Sequence, residues 1–163
     1  MRNIAIIALL LACVSVAGNA GNRKEFDLMK QENMKMKDKA EMYLAGGCFW
    51  GTEHFLKQIR GVEQTEVGYA NSQVPNPTYK EVCTGNTGAV ETVKVVYDPR
   101  TVDLDLLLDL YFQTIDPTSV NRQGGDSGLQ YRTGIYYIDK DDAPVIEAAI
   151  KDLAKDLSLI HIS

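Results

Sequence analysis

Cysteine is scarce in this chain: three among 163 residues, at positions 13, 48 and 83. Three widely spaced cysteines exclude a disulfide framework. With only two histidines, and no Cys or His pair at ligand spacing, they also provide no zinc-type site. No second cysteine lies two or three residues from Cys48, so the CxxC arrangement of a general thiol–disulfide exchanger is missing. Basic residues are outnumbered, 17 Lys and Arg against 22 Asp and Glu, for a net charge of −5. That balance excludes a general nucleic-acid or anionic-membrane binder. Repeats and low-complexity blocks are absent. The unbroken apolar run, Ile4 to Leu11, falls well short of the roughly 20 residues that span a bilayer.

The chain is long enough for one domain with a real core. Its first twenty residues differ from the rest. Met1-Arg2-Asn3 is a short basic start, the apolar run follows, and then come small residues including Ala12, Ser15, Ala17, Gly18 and Ala20. This layout is that of a secretory signal over residues 1–20. An alternative reads Leu10-Leu11-Ala12-Cys13 as a lipobox, with Cys13 carrying a lipid anchor. Either places the mature protein outside the cytoplasmic membrane, in a periplasm or beyond. Residues 21–40 are polar and rich in Lys and Met, a tether between the signal and a domain spanning 41–157. Helical patterning through Asp142–Leu157 gives way to an apolar SLIHIS ending. Residues 158–163 therefore read as an artefactual tail on a chain truncated near Leu157, and His161 carries no functional weight.

Between these ends, strand and helix patterns alternate. Glu41–Ala45 and Val62–Ala70 read as strands, and Phe55, Leu56 and Ile59 share a helical face between them. Asn76-Pro77-Thr78-Tyr79 opens a short helical turn with proline in its first turn. Ala89–Tyr97 is a strand ended by Asp98-Pro99. Asp103–Ile115 is an amphipathic helix with Leu104, Leu107, Leu108, Tyr111 and Phe112 on one stripe. A polar, glycine-rich loop spans Asp116–Gln130, Arg132–Ile138 forms the last strand, and a final helix follows. The order predicts an α+β fold, a ferredoxin-like two-layer sandwich with a βαββαβ core and appended helices and loops.

The chemistry concentrates at Gly47-Cys48-Phe49-Trp50-Gly51. A thiol stands there between glycines and aromatics, where a strand gives way to a helix. Unpaired amides and the helix dipole at that junction favour negative charge, the condition that activates a cysteine. The flanking glycines would let a substrate approach the backbone. Three further clusters offer helpers. Tyr79 sits in the PNPTY turn. Glu91 should face the same way as Val93 and Val95, an apolar setting that keeps a carboxyl protonated. The third is the loop NRQGGDSGLQYR, residues 121–132, long and polar enough to be functional. Taken singly, Tyr79 also reads as a packing residue, Glu91 as an edge-strand surface residue and Asp126 as a turn former.

Together and in this order, GCFWG, PNPTY, Glu91 after Gly88, and NRQGGDSGLQYR resemble peptide methionine sulfoxide reductase of the A type, over about Tyr43 to Asp156. The resemblance implies a reductase of the S-epimer of methionine sulfoxide. Cys48 would be its nucleophile and Glu91 the acid that protonates the sulfoxide oxygen. Tyr79 and Tyr131 would hydrogen-bond that oxygen, Asp126 would shape the polar side of the pocket, and Phe49 and Trp50 would wall the S-methyl group. The product on the protein would be a Cys48 sulfenic acid. No cofactor is implied beyond an external reductant, thioredoxin or a similar dithiol. Partners would be oxidised proteins and peptides carrying methionine sulfoxide, and a monomer is expected.

The chain departs from the family pattern in places. Gly88-Ala89-Val90-Glu91 keeps the glutamate of a common Gly-His-x-Glu and loses the histidine. Ser127 stands where histidine or valine is frequent. The resolving cysteines that many members carry near the C-terminus have no counterpart after Cys83. Either they lie beyond the truncation, or an external thiol reduces Cys48 directly. Cys83 itself reads as a structural cysteine, with a resolving role as the alternative.

Overall fold

The computed structural model describes residues 39–160. The export signal, the lipid-anchor alternative at Cys13, the tether as far as residue 38 and residues 161–163 of the tail lie outside the described residues. The elements are β1 (Ala40–Ala45), α1 (Phe49–Leu56), β2 (Val62–Ala70), α2 (Tyr79–Cys83), β3 (Val90–Tyr97) and α3 (Leu104–Phe112). They continue with a hairpin, β4 (Arg122–Gln123) and β5 (Asp126–Ser127), a 3-10 turn at Leu129–Tyr131, and β6 (Gly134–Tyr136). A second 3-10 turn, Lys140–Asp142, leads into α4 (Ala143–Ile160).

The main sheet has the order β2-β3-β1-β6, and every neighbouring pair is antiparallel. β3 lies between β1 and β2, so the first βαβ unit is split, as the ferredoxin-like expectation requires. Leu44 pairs with Val93, Met42 with Val95 and Ala40 with Tyr97. Because side chains alternate across a strand, these residues share one face. Leu56 of α1, Leu104, Leu107, Leu108 and Tyr111 of α3, and Ile146 and Ala149 of α4 complete a single core with that face. Burying each large aliphatic there stabilises the fold by about 1.5–3 kcal/mol. The opposite face is polar: Lys94 Nζ pairs with Glu41 Oε1 at 3.1 Å, and the Tyr43 hydroxyl donates to Glu41 Oε2 at 3.2 Å.

Local chemistry moves several boundaries. Ala40, placed in the tether by sequence, already belongs to β1, and the Lys39 ammonium pairs with Glu63. Pro77 stands before the N-cap rather than in the first turn of α2. Thr78 is the cap, closing a capping box with Glu81 that satisfies two amide donors reciprocally. α3 is capped by Asp103, whose side chain accepts from the Leu106 amide. β6 is shorter than expected. Its N-terminal flank, Arg132, closes the 3-10 turn, and the strand pairs only with Tyr43, Leu44 and Ala45. The last helix runs to Ile160, three residues beyond the expected stop at Leu157.

Candidate active site

Cys48 is the N-cap of α1, in extended conformation with φ −60° and ψ 118°. Its side chain makes no capping hydrogen bond, so the thiol is not spent on the helix. It is a half-buried free thiol. Two groups hold the turn before it. The Thr52 hydroxyl, on the first turn of the helix, donates back to the Gly46 carbonyl at 3.0 Å. The buried Tyr111 hydroxyl donates to the Ala45 carbonyl at 2.6 Å, pinning the end of β1 to α3. Burial pushes the Tyr111 phenol far above the usual tyrosine range.

The antiparallel register brings Glu91 to this turn. Two residues past the Leu44–Val93 pair, β3 reaches Glu91 as β1 reaches Gly46. Glu91 is 2% exposed on an inner strand, which excludes the edge-strand surface reading. The Phe49 amide donates to its Oε2 at 3.0 Å, which assigns one otherwise unpaired helix N-terminal donor to the carboxyl. Burial raises the Glu91 pKa above its ordinary value. The Phe49 hydrogen bond opposes the rise, and the Asp126 carboxylate adds to it. A carboxyl so held, bonded to the amide of the residue that follows Cys48, is a candidate proton donor.

The aromatics surround this pair. The Phe49 ring centroid lies 5.7 Å from that of Trp50 and 5.9 Å from that of Tyr69. Trp50 is 69% exposed, so the apolar wall is an open rim. Tyr79 opens α2 and is also exposed. The neighbouring Cys83 side chain, then that of Tyr131, holds its phenol protonated well above the usual range. Tyr131 is the last residue of the 3-10 turn that Arg132 caps. Arg132 clamps that turn: its two terminal nitrogens donate to the carbonyls of Leu129 and Gly88, each at 2.8 Å. Asp126 lies on β5, close enough to act electrostatically on Glu91. All seven residues expected from sequence thus gather on one side of the molecule, around the β1–α1 junction and the loops facing it.

Sequence reasoning missed two residues. Tyr69 is the cross-strand partner of Glu91. Burial, followed by the Glu91 carboxyl, raises its pKa. Alternation in β2 carried the signal, since Val67 and Tyr69 share a face, but only the register names the partner. Gln123 explains Gly47. A Cβ there would stand 2.6 Å from the Gln123 side chain, and the residue has φ +80°. Gly47 is therefore needed for backbone conformation and for seating the β4–β5 hairpin, rather than for substrate approach. A Cβ on Gly51 would meet nothing within 4 Å. Among the described residues, no group of three or more His, Cys, Asp or Glu side chains is placed to hold a metal ion.

Known proteins share this sequence and this fold. The family model for peptide methionine sulfoxide reductase matches residues 40–161. Peptide methionine sulfoxide reductase MsrA of Lachnoclostridium phytofermentans is 56% identical over 114 residues, which cover 70% of this chain and 69% of that protein. Methionine sulfoxide reductase A of Corynebacterium diphtheriae superposes with a TM-score of 0.72 at 37% identity, covering 77% of this chain but only 61% of its own. Mxr1 of Saccharomyces cerevisiae in reduced form gives a TM-score of 0.69 at 34% identity, covering 74% and 71%. Mxr1 has also been solved in complex with Trx2. The match over three quarters of the chain, these identities and the gathering of Cys48 and Glu91 lead to one assignment: the chain belongs to the peptide methionine sulfoxide reductase family of thiol-dependent oxidoreductases.

Proposed function

We propose that this chain reduces the S-epimer of methionine sulfoxide, free or within polypeptides, with Cys48 as nucleophile and Glu91 as proton donor. The observation that carries the reading is the buried Glu91 carboxyl held at 3.0 Å by the amide of Phe49, the residue next to the thiol. The Cys48 thiolate attacks the sulfoxide sulfur while Glu91 protonates the oxygen, since an oxide leaves poorly and a hydroxyl leaves well. The sulfur–oxygen bond of the substrate breaks. The hydroxyl passes to the Cys48 sulfur as the transient sulfur–sulfur bond breaks, so the substrate sulfur gains two electrons and departs as methionine while Cys48 loses two and becomes a sulfenic acid. Tyr79 and Tyr131 hydrogen-bond the oxygen, Asp126 completes the polar side, and Phe49 and Trp50 receive the methyl group. A sulfoxide is polar at oxygen and apolar at methyl, so phenols on one side and an indole on the other select one epimer.

Return of Cys48 to the thiol needs an external dithiol, which takes the oxygen away as water and leaves as a disulfide. The complex of Mxr1 with Trx2 supports a thioredoxin-like reductant. The signal-like residues 1–20 support action on exported proteins. The test supplies the separated S and R epimers of a sulfoxide-containing peptide with dithiothreitol. Consumption of the S form alone supports the reading, and equal consumption of both, or of neither, opposes it.

A further inference from the structure

Arg132 spends its guanidinium on main chain alone. Its two terminal nitrogens donate to the carbonyls of Leu129 and Gly88, each at 2.8 Å. Among the described residues no carboxylate pairs with it. Nor is its charge among the influences that set Glu91, which are burial, the Phe49 amide and the Asp126 carboxylate. What this side chain supplies is geometry: a planar fork with two bonds fixes direction as well as distance. One of its carbonyls is local, three residues back in the 3-10 turn. The other lies 44 positions away, at the entrance to β3.

Both ends of this clamp lead to the proposed chemistry. Tyr131 directly precedes Arg132. Gly88 stands three residues before Glu91, and Ala89 and Val90 between them are buried, so Gly88 is a firm anchor at the foot of Glu91's own strand. The turn has little else to hold it. The Tyr131 amide donates to the Gly128 carbonyl at 3.0 Å, and the Arg132 amide to the Leu129 carbonyl at a long 3.4 Å; an isolated 3-10 turn is poorly bonded. The β4–β5 hairpin before it has two residues a side, and Leu129 is exposed. Glu91, by contrast, is already seated by the Phe49 amide. We infer that Arg132 is a positioning residue for the sulfoxide reduction: its fork sets the Tyr131 phenol against Glu91, so that both groups meet the same substrate oxygen. The inference rests on the proposed reductase activity and deepens it by naming what aligns two of its groups.

The test is Arg132→Lys, which keeps the charge and replaces the fork by a point charge that cannot reproduce two fixed bonds. Single-turnover methionine release at saturating sulfoxide should fall about ten- to a hundredfold. The half-saturating concentration should stay within about twofold, because Phe49 and Trp50, which receive the methyl group, lie outside the clamp. Tyr131→Phe and the double variant complete a cycle. Once the phenol is gone, Arg132→Lys should cost less than about threefold, whereas a general loss of structure would lower the rate equally in both backgrounds. Amide hydrogen exchange gives a second readout that needs no turnover: it should quicken at residues 128–132 and stay unchanged at Val93–Tyr97. Arg132→Gln, which also lacks the fork, repeats the comparison if Arg132→Lys folds poorly. Release by Arg132→Lys at the unaltered rate, or the same loss with and without the Tyr131 hydroxyl, overturns the inference. An unaltered protein that releases no methionine counts against the reductase reading instead, and the exchange at residues 128–132 then decides whether the clamp holds the turn.

Discussion

The amide of Phe49 donates to Glu91 Oε2 at 3.0 Å, and this contact couples the helix that Cys48 caps to an inner strand of the sheet. Phe49 follows Cys48 directly, so any movement of Glu91 relative to the α1 N-terminus is also movement relative to the thiol. The backbone engages one carboxyl oxygen, and on the proposed function the other serves the substrate.

Replacing Glu91 by Gln should slow methionine release by about two to four orders of magnitude, the scale of losing a general acid. Gln keeps an acceptor for the Phe49 amide and removes only the proton. Burial holds the Glu91 pKa above its ordinary 4.5, so the unaltered protein's rate should persist at higher pH than an exposed glutamate would allow and decline as the carboxyl ionises. Stopped-flow rates across pH check both, and that decline should be absent from the slow residual rate of Glu91→Gln.

The same shift makes a stability prediction. A carboxyl with a raised folded-state pKa contributes stability that is fully present below its unfolded value and is lost as pH rises through the folded value. Urea unfolding should show Glu91→Gln gaining on the unaltered protein from about pH 4.5 upward, until the folded carboxyl has ionised. Below that pH the difference between the two proteins should stay constant.

Gly47 and Gly51 flank the same motif and should respond oppositely to alanine. At Gly47 the backbone is left-handed and a Cβ would strike Gln123, so Gly47→Ala should cost about 1–3 kcal/mol. It should also lower the rate by unseating the hairpin that carries Asp126. Gly51 lies inside α1 with open space at its Cβ, and Gly51→Ala should stabilise by about 0.5–1 kcal/mol. Denaturant midpoints for the two variants decide this.

Tyr69 acts through its ring, which packs on Phe49 across from Glu91. Tyr69→Ala should lower kcat by about ten- to a hundredfold through misplacement of the reacting groups. It should also let water reach Glu91, moving the decline in rate to lower pH. Tyr69→Phe restores the ring and should restore both the rate and the pH profile.

What the sequence discloses follows how local the cause is. The Val62–Ala70 strand and the core-facing side of Glu91 are readable because alternation writes them into neighbouring positions. The β4–β5 hairpin is not. It has only two residues a side, polar throughout, around Gly124-Gly125, so no hydrophobic period marks it. Gly47 looks like room for a substrate until Gln123, 76 positions away, arrives against it. Tyr69 is likewise silent, because its meaning depends on a strand register that joins β2 to β3. Pro77 misleads because the helix begins after it, with Thr78 as the cap and Tyr79 as its first residue.

The most direct measurement is a single turnover without reductant, on the unaltered protein and on Cys48→Ser. The unaltered protein should release one equivalent of methionine and gain one oxygen at Cys48, trapped as a sulfenic acid adduct and located by peptide mass mapping. Cys48→Ser should release none. Methionine release by Cys48→Ser at the unaltered rate, or full release with Cys48 still a free thiol, would contradict the assignment of the chemistry to this residue.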